Sequence, residues 1–320
     1  VTNQVPSVQK IEELIRSYYK VAVIKDVEYL GESDNLTFCI HTVNDNKYLL
    51  KCHMGAKSSC FIESELRWLE ELKTNTNLKI QTPVRNTNNQ FITRINDNKT
   101  GTPAYWTLQE WIEGEVLHRQ PTDTEIEKLA RLMVTLHRNS CSWDAPESVE
   151  RPCYNAENLL SSLTQLELLL RLNIVTSNDF KIIQETTRKI EMVIHSQKKT
   201  NDTWGMIHAD IHESNYVFHN GEPSIIDFSS CGFGYYLFDV AETLLHLSPN
   251  NRRKFITYYQ DERKLVGDYL EVIEAFFIWA IIRNFAFLSK NSDEHNELAT
   301  MIPFVVENYC RKYLKGEAFL

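Results

Sequence analysis

Nowhere in the 320 residues does a Cys-x-x-Cys pair occur. The seven cysteines, Cys39, Cys52, Cys60, Cys141, Cys153, Cys231 and Cys310, are odd in number and scattered. A disulfide framework and a zinc knuckle are both excluded, and a reducing cytoplasm is the expected setting. Long apolar runs are also missing. The most apolar stretch, AFFIWAIIRNFAFL at residues 275–288, is too short to span a bilayer and carries Arg283, so it reads as a buried core helix. No apolar signal region opens the sequence, which begins as a polar lead-in to an amphipathic helix. Excess positive charge is lacking too: the formal net charge is −9, which disfavours a nucleic-acid partner because phosphate binding needs clustered Lys and Arg. Neither internal repeats nor low-complexity tracts occur.

What is present divides along the chain. The first third is strand-rich: VEYLGESDNLTFCIHTV and NDNKYLLKCHM read as a meander of apolar runs and Asn/Asp/Gly turns. SSCFIESELRWLEELKT then carries Phe61, Leu66, Trp68, Leu69 and Leu72 at helical spacing, with Ser58 or Ser59 as N-cap. Strands return through TPVRNTNNQFITRINDNKTGTPAYWTLQEWIEG. Beyond Gly114 the pattern is mainly helical, opening with a helix capped by Thr122 or Asp123. The expected class is α+β, with a strand-rich lobe over residues 1–110 and a helical lobe over 111–320.

The chemistry concentrates in IHADIHESNYVFHNGEPSIIDF, residues 207–228. Strand-like runs flank the turn HNGE, which contains Gly221, and a hairpin there brings Asn215 and Asp227 side by side. An amide oxygen next to a carboxylate suits Mg²⁺, a hard cation that shares its shell with phosphates. Asp210, just before the hairpin, is then placed as a base that orients a hydroxyl for attack on a phosphoryl group. His208 reads as a brace for this loop, and His212 as a residue near the acceptor site or, by preference, at the surface. His208 and His212 are four apart, but without a helical pattern or a following Glu this is a weak zinc signal.

The spacing His208-x-Asp210 … Asn215 … Asp227 resembles the aminoglycoside phosphotransferase and choline kinase-like family, relatives of the protein kinases. Ser214 replaces the glycine usual before the metal-binding Asn, and Tyr236 stands where a proline is common. The resemblance runs from about residue 27 to 245 and is strongest over 208–241. It implies a bilobal protein-kinase-like fold, with an antiparallel-sheet N-lobe and a mainly helical C-lobe. It further implies that Ser33, Asp34 and Asn35 cover the nucleotide phosphates, and that Lys51 contacts them. Glu65, or alternatively Glu63, would pair with Lys51. Backbone groups of Glu110, Trp111 and Ile112 would bind the base, and Asp239 would hold the catalytic loop. ATP (or GTP) and Mg²⁺ are the implied cofactors.

From Trp204 to Asn251 there is no Lys or Arg, against six acids, which favours a cationic small-molecule hydroxyl acceptor. Tyr269, Trp279 and Arg283 are candidates to line its pocket, with core packing the competing reading for the aromatics. The expected function is phosphorylation of an antibiotic bearing amine and hydroxyl groups, which would inactivate it. The ELRWL segment points toward the branch with homoserine and amicoumacin kinases. The alternatives are a homoserine- or choline-type metabolite kinase, a protein Ser/Thr kinase, or a regulatory nucleotide-binding module.

Overall fold

The computed structural model describes residues 5–32, 35–53, 57–96 and 103–320. Helix α1 (Val8–Tyr18) is capped by Ser7 and buries Ile11, Leu14 and Ile15. These pack on one face of an antiparallel sheet built from β1 (Ile24–Glu32), β2 (Asn35–Thr42), β3 (Lys47–His53), β4 (Pro83–Val84), β5 (Thr93–Asn96) and β6 (Pro103–Glu110). The order is β1-β2-β3-β6-β4, with β5 also on β6. Because side chains alternate along a strand, Leu50 and Cys52 point into the α1 core while Leu49, Lys51 and His53 face the other way.

Helix α2 (Ser59–Asn75) takes Ser58 as its N-cap, the hydroxyl accepting from Phe61 N–H at 3.0 Å. Its buried side chains belong to the large C-terminal core rather than to the α1 core: Trp68 meets Phe228 edge-on at 5.5 Å. The helix therefore joins the sheet to the helical body, although it precedes β4 to β6 in the chain.

After β6 the chain passes Gly114 and forms a two-way bridge, Glu115 with Phe218, at 2.9 and 3.0 Å. Gly114 lies against Val217, where a Cβ would approach to 2.8 Å, so the contact needs glycine. Helix α3 (Asp123–Ser142) opens with a full capping box between Thr122 and Glu125. Then come β7 (Cys153–Tyr154), α4 (Ala156–Arg171), α5 (Ser177–Ser196), β8 (Trp204–Ile207), β9 (Tyr216–His219), β10 (Glu222–Ile225) and β11 (Gly232–Tyr235). Strands β9 and β10 form the expected hairpin, and β11 pairs with β7 and β8.

Four longer helices and a short one close the chain: α6 (Tyr236–Leu244), α7 (Pro249–Glu262), α8 (Tyr269–Leu288), α9 (His295–Val305) and α10 (Arg311–Lys315). Helix α8 is buried along most of its length, as its apolar sequence requires. Residues 295–316 do not run as one regular helix. Pro303 lies within α9, and Val306–Cys310 widens into a π turn before α10. Among the described residues no helix is long and apolar enough to cross a membrane, and the seven cysteines are unpaired.

Candidate functional site

The loop after β8 and the β9–β10 hairpin position three polar side chains. Asn220 and Gly221 both take positive φ, the left-handed geometry of a tight hairpin turn. At the open end of the hairpin, Ile226 N–H donates to Asn215 C=O at 2.9 Å, which sets Asp227 next to Asn215. The Asn215 amide nitrogen donates to the Asp210 carbonyl at 2.9 Å and lies 3.2 Å from Asp210 Oδ2. With the nitrogen turned to these oxygens, Asn215 Oδ1 remains an available oxygen donor.

Asp239, on the first turn of α6, fixes the loop. Its carboxylate accepts from Ala209 N–H at 2.7 Å and His208 N–H at 3.1 Å. Ala209 is held at φ 62°, a left-handed conformation unusual for a residue with a Cβ. The carboxylate also lies 3.0 Å from His137 Nε2, so that nitrogen carries the proton, and Tyr259 O–H donates to Nδ1 at 2.8 Å. Burial raises the Asp239 pKa, but the His137 hydrogen bond and the backbone donors outweigh it and leave the group below the ordinary carboxylate range. Burial also lowers His208, a neutral imidazole whose Nε2–H donates to Ile226 C=O at 3.1 Å. One buried network thus joins α3, α7, α6 and the loop.

Lys51 enters from the sheet. Its Nζ is 3.0 Å from Asp227 Oδ1, 3.3 Å from Ser229 Oγ and 3.7 Å from Glu65 Oε1. Burial disfavours its charge, yet the two carboxylates more than compensate and raise its pKa. The Lys51 charge in turn holds Asp227 well below the usual carboxylate range. Of the two glutamates considered, Glu65 faces Lys51, whereas Glu63 bonds Arg67 one turn along α2 on the exposed side.

Several side chains with no local sequence signal complete the site. Gln81 Oε1 accepts from Asp227 N–H at 3.0 Å, at a position where Asp227 has φ 57°. Arg151 is buried and donates from Nε to Cys231 C=O at 2.7 Å and from Nη2 to Ser229 C=O at 2.5 Å, with its plane over the Phe61 ring. It clamps the segment that follows Asp227. Gln109, at the end of β6 on the Lys51 face of the sheet, is fully buried with neither amide atom hydrogen-bonded to a described residue.

The positions expected to bind a nucleotide are distributed unevenly. Asn35 is buried on β2, and Ser33 and Asp34 lie outside the described residues. Glu110 N–H donates to Thr82 C=O and Trp111 N–H to Lys47 C=O. Ile112 N–H makes no bond to another described residue.

Asp210, Glu242, His212, His246, Ser230 and Arg283 share the wall of a pocket of about 430 Å³. His212 is therefore not a free surface residue. It lies 3.0 Å from the Asn215 amide nitrogen and packs on His246 at 5.2 Å between ring centres. Tyr269 lies on a separate concavity, and Trp279 is a core residue against Phe238 at 4.2 Å. Of the three expected pocket residues, only Arg283 reaches this wall. Nor is the pocket purely acidic, since Arg283 and Lys290, from beyond the Lys/Arg-free stretch, also line it.

A lysine-bearing antiparallel sheet, set on a helical body whose loop and hairpin present Asp210, Asn215 and Asp227, defines a bilobal fold of protein-kinase type. Comparison with known proteins places the chain within that class. It belongs to the phosphotransferase enzyme family, whose model matches residues 27–274. It is similar to amicoumacin kinase of Bacillus subtilis (strain 168), 20% identical over 223 residues; the match covers 69% of this chain but only 63% of that protein. Among solved structures it is similar to the microcompartment-associated aminopropanol kinase, with a TM-score of 0.82, 18% identity and coverage of 98% of this chain and 99% of the other. The amicoumacin kinase hAmiN in complex with AMP-PNP, Ca²⁺ and Ami gives a TM-score of 0.76 at 17% identity, covering 94% and 93%. At such identities the structural likeness establishes the fold.

Proposed function

We propose that this chain transfers the γ-phosphoryl group of ATP, or of GTP, to a hydroxyl of a small molecule that also carries an amine. The observation that carries this reading is the convergence of Lys51 from the sheet with Asp227, Asn215 and Asp210, the last of which lines a pocket. Lys51, with Glu65 behind it, binds and orients the nucleotide phosphates, and Glu110–Ile112 and the 33–35 turn hold the rest of the nucleotide. The Ile112 N–H, not hydrogen-bonded to another described residue, suits a purine edge.

Asp210 accepts the proton of the acceptor hydroxyl as its oxygen bonds to the γ-phosphorus. The bond from that phosphorus to the β-bridging oxygen breaks, and ADP or GDP leaves. Asn215 Oδ1 and the Asp227 carboxylate would hold Mg²⁺. The donor set fits: both are oxygen ligands, and Asp227 is kept ionised by Lys51. When bound, Mg²⁺ supplies charge neutralisation at the phosphate oxygens. The protein supplies positioning, which carries most of the rate in phosphoryl transfer.

The acceptor we favour is an antibiotic bearing amine and hydroxyl groups, inactivated on phosphorylation. A pocket of about 430 Å³ also suits a smaller amino alcohol, which makes a metabolite kinase the second reading. ADP release should be measured with Mg·ATP and Mg·GTP over amicoumacin, kanamycin, spectinomycin, aminopropanol, homoserine, choline and a generic protein substrate. Magnesium-dependent phosphorylation of an amine-bearing small molecule is expected. Phosphorylation of the protein alone, or no turnover with any acceptor, contradicts the proposal.

A further inference from the structure

The pocket beside Asp210 contains one acid for which the phosphoryl transfer above has no use. Glu242 lies on α6, three residues after Asp239, with its side chain only 6% exposed. Its Oε1 accepts from Arg283 Nη1 at 3.1 Å. Its Oε2 is buried and meets no donor among the described residues, although the residue forms part of the pocket wall. A buried carboxylate oxygen without a donor bears a desolvation cost with no return, and such an orphan at a pocket wall marks the place where a ligand's donor belongs.

The position of this oxygen relative to the reacting centre is constrained. The same Arg283 Nη1 that bonds Glu242 also donates to Ala209 C=O at 3.1 Å, and Ala209 immediately precedes Asp210. One guanidinium nitrogen thus ties the Glu242 carboxylate to the catalytic loop. A donor seated on Oε2 therefore lies a short span from a hydroxyl facing Asp210. The neighbouring acid Glu213 is already engaged, 3.2 Å from His246 Nδ1.

On the phosphotransferase reading above, we infer that Glu242 is the anchor for an ammonium group of the acceptor, which restricts the acceptor to amino alcohols with the amine a few bonds from the phosphorylated hydroxyl. Asp210 on the same wall favours an ammonium over a neutral donor, while Arg283 and Lys290 oppose it. Burial pushes Glu242 up to about 7, Asp210 and Asp239 push the same way, and Arg283 opposes them. A second cation at Oε2 offsets the burial and keeps the carboxylate ionised. Glu242 would then bind the acceptor while Asp210 handles its proton.

Equilibrium binding tests the anchor without requiring turnover. Protein loaded with Mg²⁺ and AMP-PNP is titrated calorimetrically with 1-amino-2-propanol, kanamycin and amicoumacin, and with propane-1,2-diol as the amine-free control. Wild-type protein should bind at least one amine, and E242Q should weaken that binding at least about tenfold. E242D, which keeps the charge, should lose less, and AMP-PNP affinity should be the same in all three proteins, which also reports that they are folded. Equal amine affinity in wild type and E242Q overturns the anchor, as does wild-type protein that binds none of the three amines. Glu242-dependent amine binding without ADP release would instead contradict the phosphoryl transfer and leave the anchor standing. Turnover of an amine-free acceptor that is indifferent to E242Q would do the reverse.

Discussion

The Lys51 ammonium and the Asp227 carboxylate stand 3.0 Å apart, although 176 residues separate them in the chain. This contact closes the sheet onto the hairpin and, with Glu65 behind it, makes Lys51 the point where three parts of the fold meet. Replacing Lys51 with Met should remove phosphate orientation and leave Glu65 buried beside Arg151 alone, 3.9 Å away. Breaking a buried ion pair on one side costs about 3 kcal/mol. Expected are a lower denaturation midpoint and an ATP affinity weakened by about tenfold or more. Unchanged nucleotide affinity in a K51M protein that remains folded would show that Lys51 does not face phosphate.

Arg151 gives a prediction about the segment after Asp227. Its guanidinium holds the carbonyls of Ser229 and Cys231 from two nitrogens and stacks on Phe61. Lysine keeps the charge but not the planar fork. R151K should therefore cost most of what R151M costs, about 2 kcal/mol or more, because buried carbonyls lose their donors in both. Chemical denaturation of the two variants checks this, and a near-wild-type R151K would mean that charge alone suffices.

Stability should also depend on pH through buried histidines. Burial holds His137 and His208 below the usual imidazole range, and His53 at about 3. In the unfolded chain all three titrate near about 6.5. Below that pH the unfolded state binds protons that the folded state refuses, so stability is fully present above about 6.5 and falls as pH drops. Glu242, raised to about 7, works in the opposite direction between about 4 and 7, but it is one group against three. The depressed Asp239 adds a second loss below about 4. Thermal midpoints should be flat from pH 7 to 8, decline from about 6.5, and steepen below about 4. A midpoint unchanged between pH 5 and 7 would mean that these imidazoles titrate normally.

The sequence made the local parts of the site legible. Asn220-Gly221 between two apolar runs announced the hairpin, and the hairpin put Asn215 beside Asp227. Ser58 or Ser59 and Thr122 or Asp123 bracketed the helix starts, of which Ser58 and Thr122 are the caps, and the spacing of Leu66, Trp68, Leu69 and Leu72 marked the buried face of α2. Spacing alone did not choose between Glu63 and Glu65, which are two residues apart on a helix and so point to different sides; burial of the face that carries Glu65 and Trp68, with Trp68 against Phe228, decides it. What stayed hidden depends on contacts between distant segments. Arg151 reaches 80 residues to Cys231, Gln81 reaches 146 to Asp227, and His137 reaches 102 to Asp239. No local pattern distinguishes such a residue from an ordinary polar one. The acidic stretch from Trp204 to Asn251 shows only part of the site's charge for the same reason, because the cations Lys51 and Arg283 arrive from other elements.

Asp210 tests the account most directly. The D210N protein should be compared with wild type in single-turnover phosphorylation of the best acceptor from the panel, with ATP affinity measured in parallel. The amide keeps the shape of the side chain and cannot take the hydroxyl proton, so the rate should fall about 10³-fold while ATP affinity stays within about twofold. Full turnover by D210N would contradict the assignment of Asp210 as the base and, with it, the site described here.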